Sequence, residues 1–185
     1  MKILHMKSVK RFYVIYFNGF CLKGEEALFA DYLHVGDTTV VGFSYGAQKA
    51  FEYVYNRKER VDRLILLSPA FFQTEKRSFV RTQLRYFEAE NDTYIKQFLN
   101  NVIIPSSIDL EKYLSIGTKK ELEALLTYIW DKSKIEEVSS RGTKIEVFIG
   151  DEDKIINASE ALAFFKDNTT LYILKNSGHI LEQSL

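Results

Sequence analysis

Residues 38–55 read TTVVGFSYGAQKAFEYVY, and this stretch decides the fold. The β-branched run at its start is typical of a buried strand, and the residues after Gly46 have helical periodicity. Between strand and helix lies the pattern G-x-S-x-G, with Ser44 at its centre. So sharp a turn brings the strand and helix so close that side chains two positions before and after the serine must be absent. The serine is then held in a strained backbone conformation with its hydroxyl exposed.

The flanks decide how this pentapeptide is interpreted. Taken alone, it fits equally well a tight strand-to-helix turn that happens to contain a serine. With a buried strand before it and a helix after it, the pattern predicts a nucleophile elbow. In that interpretation Ser44 is a catalytic nucleophile.

Composition limits the class of protein. The chain has 185 residues, most simply one domain that can bury a full core. Its 25 basic side chains balance 25 acidic ones, and zero net charge argues against a general nucleic-acid binder. The single cysteine, Cys21, excludes an internal disulfide and a cysteine-based zinc site, which fits a reducing compartment. We interpret Cys21 as a small packing residue.

The N-terminal segment could be mistaken for a signal peptide, because basic residues precede an apolar run at 12–17. The run is short and no small-residue cleavage site follows it, so it predicts a buried strand instead. No stretch of the sequence approaches the length needed to cross a membrane. We expect a soluble protein of the cytoplasm that works as a monomer.

Strand-like runs alternate with helical patterns along the rest of the chain, as in a mainly parallel sheet covered on both faces. Strands are predicted over 12–17, 38–41, 64–67, 144–149 and 171–174. Helices are predicted over 25–33, 47–55 and 158–166. Between the third and fourth strands four further helices are predicted over 76–88, 92–100, 107–114 and 118–132. We therefore expect a single domain over 1–185, with a core of 1–71 and 134–185 and a helical cap of 72–133.

A serine hydroxyl needs a base to take its proton and an acid to orient that base. His5 and His34 lie before the elbow, whereas His179 follows the last predicted strand, so His179 is the predicted base. The acid should follow the preceding strand, where Asp151 and Asp153 both stand. We favour Asp153, which completes a G-x-x-D pattern, with Asp151 as the alternative. The order Ser…Asp…His differs from the two orders found in serine proteases.

The reaction also needs donors for the negative oxygen that forms during acyl transfer. One is the backbone N–H of the residue after the nucleophile, Tyr45. The other should come from the loop after the first strand, and we assign it to the N–H of Phe20.

Together these motifs resemble the α/β-hydrolase superfamily over nearly the whole chain, so the fold implied is an α/β-hydrolase fold with a shortened, mainly parallel sheet and a helical cap between two strands. More narrowly, the chain resembles the short pimeloyl-acyl carrier protein methyl ester esterases of biotin synthesis, the BioV type. Shortness is the main reason, since only 24 positions separate Phe20 from Ser44. Two positions depart from the superfamily pattern: Asn18 stands where histidine is frequent, and Ala47 where a second glycine is frequent.

The resemblance implies a serine carboxylesterase that hydrolyses the methyl ester of pimeloyl-acyl carrier protein to pimeloyl-acyl carrier protein and methanol in biotin biosynthesis. It implies no metal or organic cofactor, and an acyl carrier protein, rather than a nucleic acid or a membrane, as the partner. Basic residues on the cap would then hold the acidic carrier. Arg77, Arg81 and Arg85 share one side of a predicted helix and are the candidates, although a solvated helix face is the usual meaning of such a run.

Aromatic residues near the ends of the cap are candidates for the acyl tunnel. We predict that Phe71 and Phe72 bind substrate, and we interpret Trp130 as either a tunnel residue or, preferably, a core residue. Two rival functions stay open. One is a general carboxylesterase or thioesterase acting on small acyl esters, and the other is an inert member of the superfamily that binds a ligand or partner.

Overall fold

The computed structural model describes residues 14–33 and 38–183. These ranges contain a five-stranded sheet in the order β1-β2-β3-β4-β5, in which all neighbouring strands are parallel. The strands are β1 (Val14–Phe17), β2 (Thr39–Phe43), β3 (Arg63–Leu67), β4 (Lys144–Gly150) and β5 (Thr170–Leu174). The predicted mainly parallel sheet is confirmed. Residues 12 and 13 of the first predicted strand lie outside the described residues, as do His5 and His34.

Six α-helices and two short 3₁₀ helices accompany these strands in the described ranges. The α-helices are α1 (Tyr45–Tyr55), α2 (Arg77–Ala89), α3 (Asn91–Ile103), α4 (Lys119–Thr127), α5 (Lys132–Ser140) and α6 (Ala158–Phe165). The 3₁₀ helices are Glu25–Tyr32 and Glu111–Tyr113. We refer to α2, α3 and α4, which lie between β3 and β4 in the chain, as the cap helices.

The central strands β2, β3 and β4 are buried on both faces because they alternate apolar side chains between two cores. The edge strands β1 and β5 are only partly buried, so the prediction of a buried first strand is wrong. Leu64 and Leu66 of β3 point into one core, which also contains buried residues of α1, α5 and α6. Ile65 and Leu67 of the same strand point into the other core, with Phe29 of the first 3₁₀ helix. This period of two explains why the strands read as continuous apolar runs.

Two of the predicted helices between β3 and β4 are wrong in type or extent. The predicted helix 107–114 is only the 3₁₀ turn Glu111–Tyr113, where Asp109 accepts a hydrogen bond from the Glu111 N–H at 2.8 Å. Such a local side-chain bond to the backbone competes with a regular helix. The predicted helix 118–132 begins with the predicted capping box, which is confirmed, but it ends at Thr127.

The early end of α4 has a physical cause in the residues after it. Trp130 donates its indole N–H to the Ala70 carbonyl at 2.9 Å, and its backbone N–H to the Gln73 side chain at 2.7 Å. Both bonds hold the extended segment 128–130 against the residues that follow β3. Asp131 then caps a new helix, α5, by accepting from the Ser133 N–H at 2.8 Å.

The predicted helix 25–33 is also irregular. It is a 3₁₀ helix over Glu25–Tyr32 with non-helical dihedrals at Phe29. Gly24 precedes it in the left-handed region, with φ of 78°, and supplies no side-chain cap. Glu25, the first residue, points into the protein instead of toward solvent.

Candidate active site

The turn between β2 and α1 has the geometry of a nucleophile elbow. Ser44 has φ of 54° and ψ of −115°, a conformation that non-glycine residues rarely adopt. A side chain at Gly42 would collide with the Gly46 carbonyl, and one at Gly46 would collide with the carbonyl of Phe17 on β1. Both glycines are therefore required by close backbone packing.

Hydrogen bonds to the end of β3 fix this turn. The Ser44 N–H donates to the Leu67 carbonyl at 2.9 Å, and the Ala70 N–H donates to the Ser44 carbonyl at 3.2 Å. The end of β3 and the segment after it thus bind the N–H and the carbonyl of Ser44. Neighbouring strands hold the turn from both sides, so it can keep its strained dihedrals.

Three predicted residues from three loops meet at the carboxyl ends of the strands. The Ser44 Oγ lies 2.8 Å from His179 Nε2, and His179 Nδ1 lies 2.6 Å from Asp153 Oδ2. The His179 and Asp153 side chains are fully buried, and Ser44 is 2% exposed, so the predicted exposure of the serine hydroxyl is wrong. In this arrangement the imidazole can accept the serine proton while the carboxylate holds the opposite ring nitrogen.

Of the two candidate acids, the structure brings Asp153 and not Asp151 to the histidine. Asp153 Oδ1 accepts the N–H groups of Ile155 and Ile156, at 2.7 and 3.1 Å, so Oδ2 is left to face the imidazole. Asp151 is exposed, and its backbone N–H donates to the Leu174 carbonyl at 3.0 Å.

The histidine loop is held by close packing on both sides. A side chain at Gly178 would collide with the Ile104 carbonyl, and one at Gly150 would collide with the carbonyls of Ser177 and Gly178. The Phe43 ring lies 5.2 Å from the imidazole, centre to centre. The glycine before His179 is thus required by close packing against the Ile104 carbonyl.

The two predicted oxyanion donors lie in adjacent loops. Gly46 of the elbow packs against the Phe17 and Asn18 carbonyls, which brings the loop after β1 against the start of α1. Phe20 and Tyr45 both line a small cavity of about 190 Å³ beside the elbow. Within the described ranges neither backbone N–H donates to a protein acceptor, so both are available to a substrate oxygen.

A larger cavity of about 620 Å³ lies among the cap helices. Ile155, whose N–H contacts the Asp153 carboxylate, forms part of its wall, as does the predicted substrate residue Phe72. Ser44 and His179 are not among its lining residues. Most of the lining is apolar and includes Phe72, Phe98, Leu122, Leu125, Leu126 and Ile155, while Glu90 and Lys154 are charged residues of its wall.

The other two candidate tunnel residues are placed elsewhere. Phe71 is not among the residues lining this cavity; it packs against Phe164 and Phe165, with ring centres 5.4 and 6.2 Å away. Trp130 is 2% exposed and packs in the core against Phe51, with tilted rings, and edge-to-face against Phe165. Phe72 is therefore the one member of this predicted group that the structure brings to the cavity.

The three arginines of α2 are exposed and lie on one side of the helix, as predicted from their spacing. None of them has a hydrogen-bond or ion-pair partner within the described part of the chain. Phe79, Gln83 and Tyr86 of the same helix line the cavity. At 3.6 residues per turn, Arg81 lies about half a turn around the helix from Gln83, so the arginines and the cavity-lining residues are on opposite sides of α2.

Sequence reasoning missed two buried polar residues near the site. Gln48 on α1 donates to the Ala70 carbonyl at 3.1 Å and to the Leu125 carbonyl at 3.0 Å, which ties the elbow helix to the cap. Glu25 accepts the Gly19 N–H at 2.7 Å, next to the predicted donor Phe20. No motif marks either residue, since both are polar residues in helical segments that usually face solvent.

Burial shapes the titration of nearby groups. It raises the pKa of the Cys21 thiol to about 12, so this cysteine stays protonated and fits the packing role predicted for it. Burial also raises the pKa of Glu25 and lowers that of Lys49.

Within residues 14–33 and 38–183 no cluster of histidine, cysteine and acidic side chains could hold a metal ion. None of the helices in these ranges is long and apolar enough to span a bilayer.

Comparison with known proteins identifies the fold. No protein-family model matches the chain, and no curated protein is a significant match to its sequence. Solved structures do match. The naproxen esterase (carboxylesterase NP) of Bacillus subtilis is 15% identical, with a TM-score of 0.61 over 92% of this chain and 78% of that one.

Two further solved structures have similar scores. A carboxylesterase of the thaumarchaeon Nitrososphaera gargenis is 11% identical, with a TM-score of 0.61 over 93% of this chain and 85% of that one. MenH of S. aureus is 14% identical, with a TM-score of 0.59 over 90% and 85%. At such identities the likeness shows the fold alone, and the chain has the predicted α/β-hydrolase fold.

Proposed function

We propose that this protein is a serine carboxylesterase. The observation that carries the proposal is the continuous hydrogen-bonded row from Ser44 through His179 to Asp153, at 2.8 and 2.6 Å, on a strained elbow. A histidine within hydrogen-bond reach of a serine, itself oriented by a buried carboxylate, is the arrangement that nucleophilic acyl transfer requires. Solved carboxylesterases share the fold, which is consistent with this chemistry.

The proposed reaction has two halves. Ser44 Oγ attacks the ester carbonyl while His179 Nε2 takes its proton, and the developing oxyanion is held by the N–H groups of Phe20 and Tyr45. His179 then gives the proton to the departing alcohol, which leaves an acyl-serine. Water attacks this intermediate with His179 again as base, and the products are a free carboxylate and regenerated Ser44. Asp153 holds the imidazole tautomer throughout.

Within this class we propose the methyl ester of pimeloyl-acyl carrier protein as the substrate, and thus a role in biotin synthesis. The resemblance of the sequence motifs to the short esterases of that pathway supports this choice. A largely apolar cavity of about 620 Å³ among the cap helices is consistent with an acyl chain. Because Ser44 does not line this cavity, the proposal requires the chain to reach the serine past the cap helices.

The exposed guanidiniums of Arg77, Arg81 and Arg85 are the proposed contacts for the acidic carrier protein. They lie on the side of α2 that faces away from the cavity-lining residues, so the prosthetic arm of a carrier bound there would have to pass around the helix. Carrier docking at these arginines is therefore independent of ester hydrolysis at Ser44, and each is tested by its own experiment.

Hydrolysis of methyl-pimeloyl carrier protein and of a p-nitrophenyl ester, by the wild type and by Ser44→Ala, tests the function. We expect the wild type to cleave both esters and the variant to cleave neither. Cleavage of the small ester alone would support a general carboxylesterase and would contradict the proposed role in biotin synthesis. Failure on both esters, together with no labelling of Ser44 by a fluorophosphonate, would contradict the proposed esterase.

Charge reversal tests docking. Replacing the three arginines by glutamate should lower kcat/KM on the carrier-bound ester and leave the p-nitrophenyl ester unaffected. A matched control changes Lys58, Lys166 and Lys175, which are exposed and lie outside the cap helices, to glutamate with the same change in net charge. Equal loss in both triple variants would indicate a general charge effect and not a docking site.

A further inference from the structure

The first residue of the first 3₁₀ helix is a buried carboxylate that the proposed reaction does not use. Glu25 has no exposed surface. Its Oε1 accepts the Gly19 N–H at 2.7 Å and lies 3.4 Å from the Tyr16 hydroxyl, while its Oε2 has no hydrogen-bond partner within the described ranges. Burying a carboxylate with one oxygen unsatisfied is costly, so its position calls for an explanation.

The contact of Glu25 falls beside a proposed oxyanion donor. The Phe20 N–H shares a peptide plane with the Gly19 carbonyl, and within the described ranges that carbonyl accepts one long bond, 3.4 Å, from the Leu22 N–H. The preceding peptide plane, which contains the Gly19 N–H, is held by Glu25 at 2.7 Å. The carboxylate thus makes the shorter of the two hydrogen bonds at Gly19. Further along the loop, the Cys21 carbonyl accepts the Ser115 N–H at 2.9 Å and the Lys23 N–H donates to the Tyr113 carbonyl at 2.8 Å, so the loop is held firmly on that side of Phe20 as well.

Side chains give the loop little other support at this point. Gly19 has none of its own, and an added Cβ there would lie 2.9 Å from the Phe43 ring. Phe20 anchors the next position by packing against Phe87 and Phe98, at ring-centre distances of 6.2 and 5.6 Å. On the Gly19 side of Phe20, the short contact that holds the loop is therefore the hydrogen bond from the Gly19 N–H to Glu25.

We propose that Glu25 is a positioning residue that holds the loop after β1 so that the Phe20 N–H faces the oxyanion. The proposal rests on the esterase function proposed above. Glu25 acts through Gly19 and does not touch the substrate. An oxyanion donor is useful only when it is fixed before the reaction, because reorienting it during the reaction would consume the stabilisation that it gives.

Three substitutions test this role. Glu25→Gln retains an acceptor oxygen for the Gly19 N–H, Glu25→Met retains the approximate size and removes the acceptor, and Glu26→Met changes the exposed neighbouring glutamate as a control. On a p-nitrophenyl ester we expect Glu25→Met to lower kcat by roughly 10²-fold with little change in KM, as for the loss of one oxyanion donor. Glu25→Gln should recover most of the rate, and Glu26→Met should match the wild type.

Amide hydrogen exchange supplies a readout that does not depend on activity. We expect the Gly19 N–H to exchange faster in Glu25→Met than in the wild type, and to stay protected in Glu25→Gln. Should Glu25→Met fail to fold, Glu25→Asp, whose shorter side chain cannot reach Gly19 in the same position, provides the same comparison. Wild-type protection and wild-type kcat in a folded variant without the acceptor would overturn the proposal. A wild type that lacks esterase activity would contradict the proposed function, while the exchange data would still decide the role of Glu25 in the loop.

Discussion

Replacing Asp153 by asparagine is the sharpest single test of the proposed triad. Asp153 Oδ1 accepts two backbone N–H groups, from Ile155 and Ile156, and only an oxygen can take that place. An asparagine must therefore keep its oxygen there and turn its amide nitrogen toward His179. The amide donates where the carboxylate accepted, so Nδ1 becomes the acceptor and Nε2 carries the proton. In that tautomer the imidazole cannot take the proton of Ser44.

The expected loss is large and specific to kcat. Holding the wrong tautomer costs about 10⁴-fold in kcat in a serine triad, which corresponds to about 5 kcal/mol of activation free energy. Folding should change little, because the two backbone hydrogen bonds to Oδ1 persist. The substrate affinity should also stay near that of the wild type, since Asp153 is fully buried behind the histidine.

Steady-state kinetics on a p-nitrophenyl ester, with thermal unfolding as a check on the fold, measure this prediction. Asp151→Asn is the matched control, because it makes the same chemical change two residues away at an exposed position. We expect the control to keep wild-type kcat. If Asp153→Asn were within about tenfold of the wild type, or if Asp151→Asn were the more damaging change, the tautomer argument would be refuted.

Three other predictions concern the nucleophile, the elbow and the cavity. Ser44→Ala and His179→Ala should each lower kcat on the order of 10⁶-fold, and the double variant should be no worse, because the two groups act as a unit; additive losses would contradict this. Gly46→Ala should lower the free energy of unfolding by about 3 kcal/mol in urea titrations, since its methyl group meets the β1 backbone. Gly24→Ala, which has open space around it but a left-handed φ, should cost only about 1 kcal/mol. Gln97→Trp at the cavity wall should raise KM for a long acyl ester about tenfold while sparing an acetyl ester, and equal effects on both would remove the cavity from the substrate path.

The sequence carries most of the information on this site because each part has a local signature. Glycine at positions 42 and 46 indicates that backbone segments pass close to each other at the elbow. In the structure Gly42 lies against the Gly46 backbone, and Gly46 lies against the Phe17 backbone. Candidates for base and acid could be found because each follows a recognisable apolar strand. The preference for Asp153 over Asp151 rests on the G-x-x-D pattern alone, because both residues follow the same strand and the path of the turn decides which carboxylate reaches the histidine.

The parts that sequence reasoning missed depend on tertiary contacts. Phe71 and Phe72 are adjacent and chemically identical, yet only Phe72 reaches the cavity, while Phe71 packs against α6. The helix predicted to run to 132 ends at Thr127, because Trp130 makes two hydrogen bonds near β3 that no helical pattern reveals. A glutamate in the first turn of a helix ordinarily favours solvent and the helix dipole, so nothing local indicated that Glu25 is buried.

Each strand of this small sheet contributes a different part of the proposed machinery. The loop after β1 provides an oxyanion donor, β2 ends at the nucleophile, β4 leads to the acid and β5 leads to the base. β3 and the segment after it contribute no catalytic side chain to the proposed site, but Leu67 and Ala70 bind the backbone N–H and carbonyl of Ser44. Because all five strands are parallel, their carboxyl ends lie at one edge, and the five contributions converge there without further strands. The site therefore requires all five strands, and we infer that in a chain of this length any further shortening would have to come from the cap helices and not from the sheet.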